Sequence, residues 1–298
     1  TIRSRTVQQV IEEMQSVSSG HARYKKKTAI FFADDNIIAK RAYAKELFLA
    51  LRPLNSNWMC QASINISRDP ELLELMRAAG CGAIFIGFES LSSENLTVMR
   101  KGINRRYDYL QAIKEIQSYG ILVHSSFIVG YDYDSLATFD ELIDFIKESN
   151  LLMPLINILT PFPGTALFKR LEQDGRILHR NWAEYDTQHV VFSPARMTRE
   201  ELLEGYQRVV RSVYSFDSIL TKLNYYWTRD FWKSANEADP VKSRYRFLFA
   251  ARLATFLLSH DIERSKFIMK ILPRVFDRRV RISTILTLMN YNSYAEAL

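Results

Sequence analysis

The stretch Thr28-Ala-Ile-Phe-Phe-Ala-Asp34-Asp35-Asn36 is a short apolar run that ends in two carboxylates and an amide. An apolar run of this length, preceded by three lysines, predicts a strand that is buried on both faces. Residues 39–51 then have the pattern of a helix. The two aspartates therefore follow the carboxyl end of a predicted strand, which is where α/β proteins bind their ligands.

The same order of apolar run, polar residue and helix occurs four more times along the chain. The spacing of about thirty residues predicts βα units in a parallel sheet with right-handed crossovers. Five units are too few for a closed eight-stranded barrel, and an open doubly wound sheet stays an alternative. The further predicted strands cover residues 58–64, 83–90, 121–129 and 154–159, and the predicted helices up to residue 173 cover 4–17, 39–51, 71–79, 93–99, 107–119, 136–148 and 166–173.

The pattern changes after Gly175, because no further strand is predicted. Residues 181–194 form an irregular segment rich in aromatic and polar side chains. Helices are then predicted at residues 199–214, 216–228, 241–259, 261–272 and 275–290. We therefore expect an α/β domain over residues 1–195 and a helical region over residues 196–298.

Composition and cysteine usage narrow the class of protein. Of the 298 residues, 47% are hydrophobic and 24% are charged, as in ordinary globular proteins. No apolar run reaches the roughly 18 residues that a membrane span needs. The only two cysteines, Cys60 and Cys81, cannot form a disulfide scaffold, which predicts a cytoplasmic protein. They are also too few for a tetrahedral metal site, so we expect two small buried side chains.

The net charge of +7 is concentrated in the C-terminal part of the chain. Residues 216–298 hold 14 basic against 8 acidic side chains. A solvated basic helical surface is the simpler interpretation, and a nucleic-acid partner is not favoured. Peripheral contact with an anionic membrane stays an alternative, which co-sedimentation with anionic vesicles at low salt would test.

Polar residues at the predicted strand ends are the candidate site. If the sheet curves, these ends meet at one rim, and their oxygens can accept hydrogen bonds from ammonium and ribose hydroxyl groups. Gly130 allows a ligand to approach the backbone, and Lys101 could bind a ligand carboxylate. The set is Asp34, Asp35, Ser63, Glu89, Ser90, Lys101, Ser126 and Gly130.

Each member of this set has a simpler interpretation. Asp34 and Asp35 could cap the following helix, or, with Glu89, hold a divalent metal ion. Glu89 could pair with a neighbouring cation, and Lys101 could be solvated. His124 lies within a predicted strand and is expected to line a pocket or the core rather than act as a base.

Four phrases follow one another along the chain at the predicted strand ends. They are Ala33-Asp34-Asp35-Asn36, Ala79-Gly80-Cys81 with Ile86-Gly87-Phe88-Glu89-Ser90, Phe127-Ile128-Val129-Gly130-Tyr131-Asp132, and Thr160-Pro161-Phe162-Pro163-Gly164-Thr165. In this order they resemble the radical S-adenosylmethionine (SAM) superfamily, in particular the subgroup with an N-terminal cobalamin-binding domain. The segment after Trp182 is similar to the C-terminal region of that subgroup. The resemblance implies a partial (β/α)6 TIM-like barrel that lacks its first strand, followed by an all-helical C-terminal extension.

The resemblance also exposes a gap, because the superfamily holds its [4Fe-4S] cluster on a CxxxCxxC loop after the first barrel strand. Neither Cys60 nor Cys81 matches that loop. We expect the loop, the first strand and the cobalamin domain to lie upstream, so that this chain is a C-terminal fragment without metal ligands of its own. Such a chain should be inactive alone.

The resemblance assigns roles to individual residues. It implies that Asp34 and Asp35 contact the methionine amino group and that Lys101 contacts the carboxylate. The remaining implied contacts are those of Glu89 and Ser90 with the ribose, Ile128 and Gly130 with the adenine, and Pro161 and Phe162 with the nucleoside. Catalytic residues are not implied for this chain.

The implied reaction begins with an external electron donor and a reduced cluster, which cleaves SAM to an adenosyl radical that abstracts a substrate hydrogen. In the cobalamin subgroup, methylcobalamin then supplies a methyl group to an unactivated carbon. The substrate would be a small or lipid-like molecule, and peripheral membrane contact would suit a lipid-like one. Two other hypotheses stay open: a non-catalytic barrel scaffold with a basic helical face, and a divalent-metal enzyme that uses Asp34 and Asp35.

Overall fold

A five-stranded parallel sheet forms the centre of the fold. The structure is a computed structural model that describes residues 4–22, 29–99, 108–229, 231, 247, 249–251, 253, 262–274 and 282–298. The strands lie side by side in chain order, which confirms the predicted parallel α/β sheet. They are β1 (Ala29–Phe32), β2 (Asn57–Gln61), β3 (Cys81–Glu89), β4 (Leu122–Val129) and β5 (Pro154–Ile158).

Helices connect the strands and make up the C-terminal region. Asp69 caps one of them through the Leu72 N–H, and Thr198 and Glu201 cap another reciprocally, as their spacing predicts. The helices are α1 (Val7–Ala22), α2 (Arg41–Leu51), α3 (Pro70–Ala78), α4 (Ser93–Val98), α5 (Tyr109–Ser118), α6 (Leu136–Ser149), α7 (Ala166–Gln173), α8 (Arg199–Val213), α9 (Phe216–Thr228), α10 (Ile262–Ile271) and α11 (Ile282–Ala297).

Some predicted boundaries are wrong. The second strand ends at Gln61 rather than Ile64, and a 3₁₀ helix follows at Ile64–Arg68. The last helix continues to Ala297 instead of ending at residue 290, because Tyr294 and Ala295 make tertiary contacts there: Ala295 is buried and the Tyr294 hydroxyl bonds Tyr206. Most of the helix predicted at 241–259 lies outside the described residues.

The described residues divide into two compact units, with the division inside β3 and β4. The first contains the described residues up to Ile86 together with 108–124, 229 and 231. In its core the Trp58 ring stacks on Phe48 at 5.4 Å, and its Nε1–H donates to the Ala79 carbonyl at 2.8 Å. Gly80 has φ +95°, and a Cβ there would lie 2.1 Å from the Ser56 carbonyl oxygen, so only glycine fits the turn into β3.

The second unit contains residues 87–99, 125–228 and the described part of 241–298. The Phe88 and Phe127 rings stack at 5.5 Å in its core. Helices α6 and α8 pack closely because Gly205 has no side chain: a Cβ there would lie 2.3 Å from the Phe139 ring. The domain boundary at residue 195 stays a prediction.

Candidate functional site

In the first unit, the end of β1 presents two exposed carboxylates. Asp34 and Asp35 are both exposed, and the N-cap of α2 is Lys40, so neither aspartate caps that helix. Asn36 fixes the turn, because its Oδ1 accepts from the Ser63 N–H and its Nδ2 donates to Ser63 Oγ, both at 3.2 Å. The turn after β1 is therefore tied to the end of β2, while the two carboxylates point outward from it.

In the second unit, β3 ends in an unusual backbone conformation. Glu89 has φ +67°, a left-handed value that is rare for a residue with a side chain and that clusters at functional sites. Its carboxylate lies near Tyr131. The pKa of the Tyr131 phenol is raised mainly by burial and, to a smaller extent, by the negative charge of Glu89. The next residue, Ser90, is buried, and its Oγ accepts from the Ser92 N–H at 3.1 Å.

A buried hydrogen-bond network joins this strand end to the end of β4. Asn95 Nδ2 donates to Ser90 Oγ at 3.3 Å and to Asp134 Oδ1 at 2.7 Å, and its Oδ1 accepts from the Tyr133 N–H. Asp134 Oδ2 accepts from the N–H groups of Gly130 and Tyr131 at 2.8 and 3.0 Å. Asn95 and Asp134 are 2% and 1% exposed, so the network is rigid and shielded from water.

The network holds Gly130 where a side chain would not fit. Gly130 has φ +102°, and a Cβ would lie 3.0 Å from Leu202 and 3.4 Å from Phe192. Burial raises the pKa of Asp134 to about 6, against the opposing effect of the hydrogen bonds from Gly130, Tyr131 and Asn95. The carboxyl group therefore titrates close to neutral pH while it supports the backbone of the β4 end.

The half-buried faces of β4 and β5 carry the other predicted residues of this unit. Ser126 and Ile128 alternate with buried neighbours along β4. Ser126 Oγ accepts from Asn157 Nδ2 at 3.5 Å, and Asn157 Oδ1 accepts from Thr187 Oγ1 at 3.1 Å. After β5, Pro161 is buried and Phe162 is about half exposed.

Ten of the eleven predicted site residues lie in the described part of the chain, three in the first unit and seven in the second, and Ser126 lies within β4 rather than at its end. Lys101 lies outside the described residues. Joint binding of one ligand by these residues stays a prediction. The sequence analysis missed Asn95 and Asp134. Asp134 could have been recognised, because an aspartate four residues after a glycine at a strand end, here Gly130, often accepts hydrogen bonds from the N–H groups of that turn.

His124 also faces the half-buried side of β4, as expected for a residue that lines a pocket. Burial lowers the pKa of its imidazole, which favours the neutral form.

The described residues offer no metal site. No three of their His, Cys, Asp or Glu side chains are grouped so that they could hold a metal ion. Cys60 and Cys81 form no disulfide and have no exposed surface, and the Cys81 thiol donates to the Ala83 carbonyl at 3.4 Å. Burial is the main cause that raises the pKa of Cys81. Within the same described part of the chain, no helix is both long and apolar enough to cross a membrane.

Comparison with known proteins identifies the family of this chain. Residues 1–146 match the family model of the Radical SAM superfamily. The chain belongs to the radical SAM superfamily. Residues 165–294, which include the C-terminal helices, match a second model described as a domain of unknown function (DUF4070). The superfamily predicted from the strand-end phrases is confirmed.

Curated relatives extend the similarity over both parts of this radical SAM chain. It is 34% identical over 236 residues to bacteriochlorophyllide d C-12(1)-methyltransferase of Chlorobaculum tepidum, which covers 78% of this chain and 51% of the relative. It is 29% identical over 233 residues to hopanoid C-2 methylase of Rhodopseudomonas palustris, covering 75% of this chain and 42% of the relative. The chain therefore spans about half the length of these relatives.

Solved structures show the same fold. The cobalamin-dependent S-adenosylmethionine radical enzyme OxsB matches 99% of this chain and 56% of its own, with a TM-score of 0.52 and 14% identity. The radical S-adenosylmethionine methyltransferase TsrM from Kitasatospora setae matches 91% of this chain and 55% of its own, with a TM-score of 0.50 and 17% identity. At these identities the likeness establishes the radical SAM fold.

Proposed function

We propose that this chain forms the SAM-binding part of a radical SAM methyltransferase that acts on an unactivated carbon of a small molecule. The observation that carries the proposal is the pair of exposed carboxylates, Asp34 and Asp35, which follow β1 without capping the next helix. A carboxylate pair suits the ammonium group of the methionine moiety. The curated relatives named as methyltransferases support the reaction class.

The second unit, taken by itself, offers groups that suit a nucleoside. The Glu89 carboxylate can accept from ribose hydroxyls, and Ile128 supplies an apolar surface for a base. Ser90 Oγ already accepts from the Ser92 N–H and from Asn95 Nδ2, so its hydroxyl would act toward a ribose only as a donor. When bound, SAM supplies the chemistry that begins radical reactions in this superfamily, and these residues would hold and orient it. Gly130 does not offer the open backbone that the sequence predicted, because it is buried, its N–H donates to Asp134, and Leu202 and Phe192 fill the space beside its Cα.

The residues present do not fit an iron–sulfur cluster. Only two cysteines exist in the sequence, and both thiols are fully buried, Cys60 in β2 and Cys81 at the start of β3. No residue of the chain has been assigned to cobalamin either, although structural neighbours are named as cobalamin-dependent. The cluster, cobalamin and an external electron donor are therefore proposed for the whole protein rather than for these residues, and membrane contact stays a prediction from charge alone.

The proposal is tested by titrating the purified protein with SAM and with 5′-methylthioadenosine in a calorimeter. Methylthioadenosine retains the nucleoside but lacks the amino acid moiety. In the double variant Asp34→Asn/Asp35→Asn we expect SAM affinity to fall about 10- to 100-fold, as for a lost hydrogen bond to a charged group. Methylthioadenosine affinity should not change.

Asp144→Asn is the matched control, because its carboxylate is exposed on α6 outside the site. It should bind both ligands like the wild type. Wild-type protein that binds neither ligand would contradict the proposed function. An equal loss of affinity for SAM and for methylthioadenosine in the double variant would contradict the proposed contact between the aspartates and the amino group.

A further inference from the structure

A cavity of about 490 Å³ lies within the second unit, beside β5. Its walls come from β5, from α8 and from α11. The lining residues of both helices lie in the region that matches DUF4070, whereas β5 lies between the two matched regions. Tyr214 closes one side by donating from its hydroxyl to the Pro154 carbonyl at 2.6 Å. The volume is in the range that small-molecule sites of proteins occupy.

The walls of this cavity are apolar, aromatic and uncharged. None of the described residues that line it is Asp, Glu, Lys, Arg or His. Four tyrosines, Tyr206, Tyr214, Tyr291 and Tyr294, supply ring surface, and the Tyr214 and Tyr291 rings stack at 4.8 Å. A charged ligand group would be desolvated here without a counter-charge, which is costly, whereas a flat apolar ligand would gain ring contacts.

Three of the polar side chains in the walls form a connected chain. The hydroxyls of Tyr206 and Tyr294 lie 3.1 Å apart, and Tyr294 donates to Gln188 Oε1 at 2.8 Å. Burial raises the pKa of Tyr206, so its hydroxyl stays protonated and neutral. A few neutral polar groups among apolar walls are typical of sites that orient a ligand through one or two hydrogen bonds.

Asn157 connects the cavity to the predicted cofactor residues. It lines the cavity from β5, and its Nδ2 donates to Ser126 Oγ on the half-buried face of β4. We propose that this cavity is the substrate pocket and that its substrate is a neutral, largely apolar small molecule that carries a ring system. This inference rests on the proposed function, since a methyl acceptor has to lie beside the SAM site.

The probe for this pocket is Nile red, a neutral, planar dye whose fluorescence rises in apolar sites. We expect saturable binding of one dye per chain, also in the presence of saturating SAM, because the two ligands occupy neighbouring positions. Val210→Trp on α8 fills the cavity and should weaken dye binding at least tenfold. Leu203→Trp places the same side chain on the exposed face of the same helix and should leave it unchanged.

Asn290→Trp fills the cavity from an exposed position on α11 and replaces the first variant if Val210→Trp does not fold. The proposed pocket would be contradicted if a folded cavity-filling variant bound the dye as the wild type does, or if the wild type showed no saturable binding. The SAM titration tests the proposed function separately and does not depend on either result. Displacement of the dye by SAM, or equal binding of the anionic dye ANS at the same site, would overturn the assigned substrate class.

Discussion

At the residue scale, Asp134 shows how one buried carboxyl group fixes a strand end. It accepts hydrogen bonds from Gly130, Tyr131 and Asn95 and is 1% exposed. In Asp134→Asn the new amide must direct a donor either at those backbone N–H groups or at Asn95 Nδ2. We expect the variant to lose about 1–3 kcal/mol of unfolding free energy, measured by urea denaturation at neutral pH.

The pH dependence of this loss is a second readout. The pKa of Asp134 is raised to about 6, so the native state binds this proton more tightly than the unfolded state. Its contribution to stability is complete at about pH 4 and below, and it is lost as the pH rises through about 6. The difference between wild type and Asp134→Asn should therefore be larger at pH 5 than at pH 7.5, and an equal difference at both would contradict the raised pKa.

Asp144→Asn again serves as the control for stability, because Asp144 is 80% exposed on α6. Exposed ion pairs contribute little, so its unfolding free energy should stay within about 0.5 kcal/mol of the wild type. The reciprocal variant Asn95→Asp/Asp134→Asn restores one donor–acceptor pair between the two side chains. This double variant should recover part of the unfolding free energy that Asp134→Asn loses. No recovery is expected if Asp134→Asn destabilises the protein through groups other than Asn95.

At the element scale, much of the fold could be predicted from the sequence because strands and helices leave local periodic patterns. In β2 the buried positions Trp58 and Cys60 alternate with half-buried Gln61 and its neighbours, as predicted. The same pattern failed at Ile64, which is buried like a strand residue but belongs to a 3₁₀ helix. There the hydrogen bonds between Asn36 and Ser63 end the strand. These long-range bonds cannot be predicted from the alternation of buried and exposed residues.

The packing of α6 against α8 gives a prediction at this scale. Gly205 in α8 would gain about 1 kcal/mol of helix propensity if replaced by alanine. Its Cβ, however, would lie 2.3 to 2.5 Å from three carbons of the Phe139 ring. We expect Gly205→Ala to lower the unfolding free energy by about 1–3 kcal/mol, because overpacking outweighs propensity, and thermal and urea denaturation measure this.

Glu204→Ala, one residue earlier on the exposed face of α8, should change stability little and controls for the effect of alanine itself. Phe139→Leu in the Gly205→Ala background removes ring atoms from the clash. The double variant should be more stable than the sum of the two single effects predicts. Additive effects, or a stabilised Gly205→Ala, would contradict the close approach of the two helices.

At the scale of the whole molecule, the candidate site could be predicted only in part. Candidates at or just after strand ends, such as Glu89 and Asp34, could be selected from the sequence because parallel strands direct their carboxyl ends to one edge. Asn95 and Asp134 were missed because they are 39 residues apart and meet only through folding. The cavity beside β5 was not predictable either, since it depends on how α8 and α11 pack against that strand.

The absence of cluster ligands is a property of the whole sequence and gives the last prediction. A four-iron cluster needs more thiolates than Cys60 and Cys81 can provide, and both thiols are fully buried on neighbouring strands β2 and β3. Because burial raises the pKa of Cys81, its thiolate is disfavoured as well. Anaerobic reconstitution of this chain with iron and sulfide should therefore give no stoichiometric four-iron absorption near 400 nm.

The double variant Cys60→Ala/Cys81→Ala is the control for this experiment. Any iron that the chain retains should bind adventitiously and should be unchanged in the variant, by both iron analysis and absorption. Four irons per chain that disappear in the double variant would show that the buried thiols reach a cluster. That result would require β2 and β3 to separate, since Cys60 and Cys81 are held in the core of the first unit by the register that pairs Trp58 with Cys81 and Cys60 with Ile84.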